Sequence, residues 1–120
     1  MAIPLGTQPV VELSKLKERL SLGVPGFGKY LDSDSNLFSS KTYHGVFTAC
    51  SIFVRDHAVQ NVSWVDLAEV LNSAAQSENQ DCENAVFTCF IENLATRDHP
   101  LVNLLEGSAL EYWRRWCEGA

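Results

Sequence analysis

Between Lys41 and Ala58 the residues Tyr43, Val46, Phe47, Cys50, Phe53, Val54 and His57 fall on one stripe at about 100° per residue, the spacing of a helix with one apolar face. This pattern predicts a helix over roughly Ser40 to Gln60. Ile52 and Val59 lie on its opposite side, so the helix is packed on two faces or presents Ile52 to a partner. Upstream, Pro9 opens a first helix whose apolar face is Val10, Leu13, Leu16 and Leu20, with Lys15, Lys17, Glu18 and Arg19 on the wet side, and Gly23 and Pro25 stop it. From Gly23 to Thr42 no period survives, which predicts an irregular connection at about 23–40. A loop of that length is uncommon in a compact domain unless it is functional or mobile.

Downstream, Ser63 followed by Asp66 resembles a capping box with Asp in the place of Glu. The helix it opens turns Trp64, Leu67, Ala68, Leu71, Ala74 and Ala75 inward and Asp66, Glu69 and Ser73 outward. After the polar turn QSENQ, Gln80 or Asp81 begins a fourth helix. Its residues Cys82, Val86, Phe87, Cys89, Phe90, Ile91 and Leu94 cover more than a third of the circumference, so it is expected to be the most buried helix. Pro100 starts a short helical segment with Leu101, Leu104 and Leu105, ended by Gly107. The last helix, Ser108 to about Glu118, places Ala109, Leu110, Tyr112, Trp113, Trp116 and Cys117 on one side, and is expected to pack across the fourth and close the core. No segment alternates strictly between hairpin signals. The fold class that follows is all-α: one domain over residues 1–120, a bundle of five or six helices joined mostly by short loops.

Composition narrows the class of partner. Fifteen acidic against nine basic residues give a formal charge of −6, with a pI near 4.9. Such a surface repels phosphate backbones and anionic membranes, so the expected partner is a protein, basic in character, rather than nucleic acid or membrane. Solubility alone also accounts for a charge of this size. The segment MAIPLGTQPV lacks the charged flank and apolar run of a signal peptide, and nowhere do 18 apolar residues run together. The four cysteines, Cys50, Cys82, Cys89 and Cys117, form neither a Cys-x-x-Cys pair nor a zinc spacing, and three sit on apolar helix faces as small hydrophobes. The cytoplasm is therefore the expected compartment.

Local motifs fall short of chemistry. Gly23-Val-Pro-Gly-Phe-Gly-Lys29 matches seven positions of a phosphate loop, but Tyr30 replaces the Ser or Thr that holds magnesium, and a helix precedes it where a strand is required. Asp32, Asp34 and Asn36 have the spacing of the first ligands of a calcium loop, yet Leu37 stands where the turn needs Gly and Tyr43 where the site needs Glu. No cofactor and no metal are implied. His44, His57 and His99 pair with no nucleophile or carboxylate at local spacing, and Asp56 and His57 point about 100° apart on a helix. Tyr112-Trp113-Arg114-Arg115-Trp116, wound into a helix, separates its aromatics from its arginines, which nucleic-acid stacking needs side by side.

The stretch from Phe87 to Trp116, with Phe-Thr-Cys-Phe-Ile-Glu-Asn-Leu, a polar break and Leu-Leu-Glu-Gly-Ser-Ala-Leu-Glu-Tyr-Trp-Arg-Arg-Trp, resembles the tail of small acidic helical bacterial proteins that include immunity proteins for secreted toxins. It covers about a quarter of the chain. The resemblance implies a non-catalytic inhibitor that masks a basic toxin surface, and it carries no binding residue over. The sequence thus points to a non-catalytic protein-interaction module, with Asp32, Asp34, Ile52, Glu69, Glu78, Asp81 and Glu83 as candidate contacts and a homodimer left open. The alternative is a small enzyme or ligand-binding bundle with a pocket near the 23–42 loop, drawn from His44, Cys50, Asp56 and His57.

Overall fold

The computed structural model describes residues 12–56, 60–94 and 99–119. Six α-helices form an all-α bundle, and no strand occurs among the described residues. They are α1 (Leu13–Gly23), α2 (Phe27–Leu31), α3 (Tyr43–Asp56), α4 (Trp64–Ala74), α5 (Gln80–Cys89) and α6 (Gly107–Gly119), with 3-10 turns at Ile91–Asn93 and Val102–Leu104. The Pro9 start and Val10 lie outside the described residues.

While α6 is held by α4 and the Ile91–Asn93 turn, helix α3 ties three neighbours together. It packs against α5, α2 and α1. Val46, Phe47, Ala49 and Cys50 are fully buried, so the stripe read from the sequence does face the core. Phe47 meets Phe90 edge-on at 6.5 Å and 82° between rings, while Phe53 stacks on Tyr30 at 4.6 Å and touches Phe27 at 6.0 Å. The close entry into α3 depends on Gly45. A Cβ there would lie 2.1 Å from the Ser39 carbonyl oxygen, so only hydrogen fits beneath that backbone.

The other helices are set by their caps. Ser63 accepts from the Asp66 N–H at 3.3 Å and Asn79 from the Cys82 N–H at 3.1 Å, each satisfying a donor that the first turn cannot pair internally. Asn72 on α4 then clamps the chain ahead of α6: its Nδ2 donates to the Leu104 carbonyl at 3.1 Å and its Oδ1 accepts from the Glu106 N–H at 2.9 Å.

The structure corrects three expectations. The 23–40 connection contains α2, a single helical turn too short to show a period; Phe27 and Leu31, four residues apart, are both buried. The fourth helix of the sequence reading does not run to Leu94. At Phe90 (φ −124°, ψ −61°) the α-helix gives way to a 3-10 turn, which leaves α5 with only Cys82, Ala85 and Val86 buried, fewer than α3 or α4. Helix α6 packs, as expected, on the segment read as the fourth helix, through the Ile91–Asn93 turn and Tyr112 stacked on Phe87 at 4.2 Å and 6°, and it packs on α4 as well. Trp116 shares the stripe of Ala109 and Trp113, yet it is 46% exposed where Trp113 is 8%, because its turn lies near the end of the helix.

His99 is held beside the first turn of α4. Its Nδ1 accepts from the Leu101 N–H at 3.2 Å, and its ring meets Trp64 edge-on at 5.1 Å. Partial burial lowers its pKa from the ordinary 6.5, so the fold favours the neutral ring.

Three outcomes follow from this packing. Gly45→Ala, which in an open helix would gain about 1 kcal/mol of propensity, should instead cost about 1–3 kcal/mol through the clash with Ser39; a raised urea midpoint would contradict it. Trp113→Ala should lose about 3–5 kcal/mol as a core truncation, whereas Trp116→Ala should lose less than about 1 kcal/mol; equal losses in denaturant titrations would refute the assignment of core and surface. Because the His99 pKa is lowered on folding, the unfolded chain takes up the proton first. Its stabilisation is complete above pH 6.5 and is lost as pH falls through the lower folded-state value. His99→Gln should therefore lose less stability than the parent between pH 7.5 and pH 5.5, and an equal loss would rule this out.

Candidate interaction surface

Two helix ends meet at one point of the surface. The Gly23 carbonyl accepts from the Ser63 N–H at 2.8 Å, and a Cβ on Gly23 would lie 3.3 Å from the Leu67 nitrogen, so the last turn of α1 sits directly against the first turn of α4. That contact fixes what surrounds it. Leu22, one residue before Gly23, is 74% exposed, and Val65, in the first turn of α4, is 57% exposed. Between the helices lies a shallow groove of about 210 Å³ lined by Leu22 and Val70 on its apolar side, Asp66 and Glu69 on its acidic side, and Arg19 at its edge.

The ion pairs among the described residues are Lys15–Glu18, Arg55–Asp56 and Arg115–Glu111. Asp66 and Glu69 belong to none of them. Eleven of the fifteen carboxylates and only four of the nine cationic side chains follow Thr42, so the excess charge belongs to the α3–α6 part of the chain rather than to α1 and α2. Chemically, a groove with an apolar wall and two carboxylates suits a lysine or arginine from outside: the aliphatic stem lies along Leu22 and Val70 while the cation meets the carboxylates.

Of the residues singled out from sequence, Glu69 alone lines this groove. Asp32 and Asp34 are exposed at the end of α2, where the Asn36 side chain closes the turn by donating to the Leu31 carbonyl at 3.0 Å and accepting from the Phe38 N–H at 3.0 Å. Glu78 and Asp81 are exposed at the start of α5 and Glu83 is half-buried in its first turn, where carboxylates complement the helix dipole. Glu83 also borders a second hollow between α5 and α6. Ile52 is half-buried on α3, outside the main core cluster.

The residues of the alternative pocket are not brought together. His44 is exposed in the first turn of α3 and Asp56 is exposed at its end, about 18 Å away along the axis. Cys50 is wholly buried, and desolvation alone pushes its thiol pKa far above the ordinary value, which makes it a packing residue rather than a nucleophile. His57 lies outside the described residues. Beside α2, within the segment expected to cover a pocket, the rings of Phe27, Tyr30 and Phe53 pack on one another. Among the described residues no group of His, Cys, Asp and Glu could hold a metal ion, and no helix is long and apolar enough to cross a membrane.

Leu22, Val65 and Asp66 as a site are what the sequence reading missed. The signal was present for Leu22, which stands about 180° from the Leu13–Leu16–Leu20 stripe, as Ile52 does on its own helix. Compared with protein-family models, with curated proteins and with solved structures, the chain matches none.

Proposed function

We propose that this chain is a non-catalytic protein-interaction module that docks a basic partner through the α1–α4 groove. The observation that carries the reading is an exposed leucine beside two carboxylates that belong to no ion pair among the described residues: Leu22 with Asp66 and Glu69. Exposed apolar side chains rimmed by like charge are the make-up of a recognition patch, in which the apolar residue supplies contact and the charges supply orientation and speed of encounter. The net charge of −6 attracts a basic surface over a longer range.

An immunity or inhibitor role, masking a basic toxin face, is the form of this function that the likeness of the Phe87–Trp116 stretch supports. Cytoplasmic residence fits the four free thiols, two of them buried as core residues. The carboxylates at the start of α5, Glu78 just before it with Asp81 and Glu83 in its first turn, extend the field around the docked partner rather than forming its seat.

The test is capture of partners by the tagged full-length protein from its source cells, with affinities then measured on the purified pair at two salt concentrations. The expected result is a basic protein whose affinity falls at least tenfold with the pair Asp66→Asn and Glu69→Gln, and again with Leu22→Ser, while the melting temperature of each variant stays near the parent's. Recovery of only the bare monomer or a homodimer at low and moderate salt contradicts the reading, as does a partner whose affinity ignores all three substitutions.

A further inference from the structure

A separate cavity of about 200 Å³, sharing no lining residue with the α1–α4 groove, lies where the last turns of α3 face the Ile91–Asn93 turn and the His99–Leu101 segment. Its walls are mainly apolar, with Val54, Phe90 and Leu101 among them, and Ser51 and His99 line it as well. The volume is of the order that takes a single aromatic ring, since a dry apolar cavity of about 150 Å³ accommodates benzene.

The polar groups give this cavity a definite chemistry. Ser51 is 7% exposed and lines the cavity, and among the described residues its hydroxyl has no hydrogen-bond partner. That is unusual for a helical serine, which ordinarily returns its proton to the carbonyl four residues back, as Ser21 does to Lys17 at 2.7 Å. His99 has its Nδ1 occupied by the Leu101 N–H, so a neutral ring carries its proton on Nε2 as a second donor. Arg55 brings the cavity no free charge, because Asp56 takes its Nε and Nη2 at 2.8 and 3.0 Å. Among the described residues the site therefore combines apolar walls, hydroxyl and imidazole donors, the Asn93 amide and no unbalanced ion, a set that selects against carboxylates and ammonium groups, whose desolvation these groups do not repay.

We propose that this cavity is a binding site for a small uncharged molecule with an aromatic or compact apolar body and one hydrogen-bond acceptor, which the Ser51 hydroxyl engages. The site is independent of the α1–α4 groove and stands or falls without it.

Three probes of nearly equal size separate the terms: acetophenone, ethylbenzene and benzoate, titrated into the full-length protein and followed by backbone amide NMR shifts. Acetophenone should shift the amides of Ser51 to Arg55, Phe90 to Leu94 and Leu101. It should bind about five- to tenfold more tightly than ethylbenzene, the worth of one hydrogen bond, with benzoate weakest. Ser51→Ala should remove the preference for acetophenone and leave ethylbenzene binding in place. The comparison on the parent protein needs no variant, so a failure of Ser51→Ala to fold leaves the proposal testable. Shifts confined to other surfaces, no preference between acetophenone and ethylbenzene, tighter binding of benzoate, or a preference that survives Ser51→Ala would each overturn it.

Discussion

The burial of α3 is the constraint on which the remaining geometry depends. A helix that contacts α1, α2 and α5 must present apolar side chains over more than one face, and Val46, Phe47, Ala49 and Cys50 do so with no exposed surface. The edge-on contact of Phe47 with Phe90 ties it to the end of α5, at the residue where that helix tightens into a 3-10 turn. Phe53 ties it to α2 through Phe27 and Tyr30. Gly45 allows the preceding chain to pass at backbone distance. Each contact fixes a neighbour's position, and the neighbours in turn fix where exposed groups can gather.

The surplus groups lie on the outer elements. Helix α4 is packed by α1, α5 and α6, and it keeps only its narrow outer edge for Val65, Asp66 and Glu69. Helix α1 buries Leu16 and Leu20 and leaves Leu22 outside. Neither exposed apolar residue serves the core, which is what separates the groove from the packing around it and makes its substitution informative about binding rather than folding. The cavity near Ser51 and His99 is the inverse case: its walls are mainly apolar and include the core residues Phe90 and Leu101, and its polar lining is small.

Sequence spacing was sufficient wherever one face of one helix decides burial. Leu67, Leu71 and Ala74 on α4 are legible for that reason, and so are the Ser63 cap and the start of α5 at Gln80, since a helix start is a local event. Val70 was not placed because α4 is covered on more than one side, and periodicity describes a single face. Trp116 was misplaced for a related reason: a helical wheel records angle and not position along the axis, and the helix outruns the core it packs on. The short α2 gives no period to read, and Ser51 and His99 come together only through the tertiary fold, from segments far apart in the chain. Charge was legible as a total and not as a pattern, since the acidic candidates read from sequence sit on three different helices or their ends and only Glu69 meets an exposed apolar wall.

Native-state hydrogen exchange, resolved by residue and compared with the global unfolding free energy from urea titration, tests the central role of α3 most directly. If α3 is the element that ties its neighbours together, the amides of Phe47, Ala49, Cys50 and Ser51 exchange only through global unfolding, while those of α2 and the Val102–Leu104 turn open at lower free energy. Exchange of the α3 amides through a smaller opening, with α6 or α1 retaining the highest protection, would contradict that organisation.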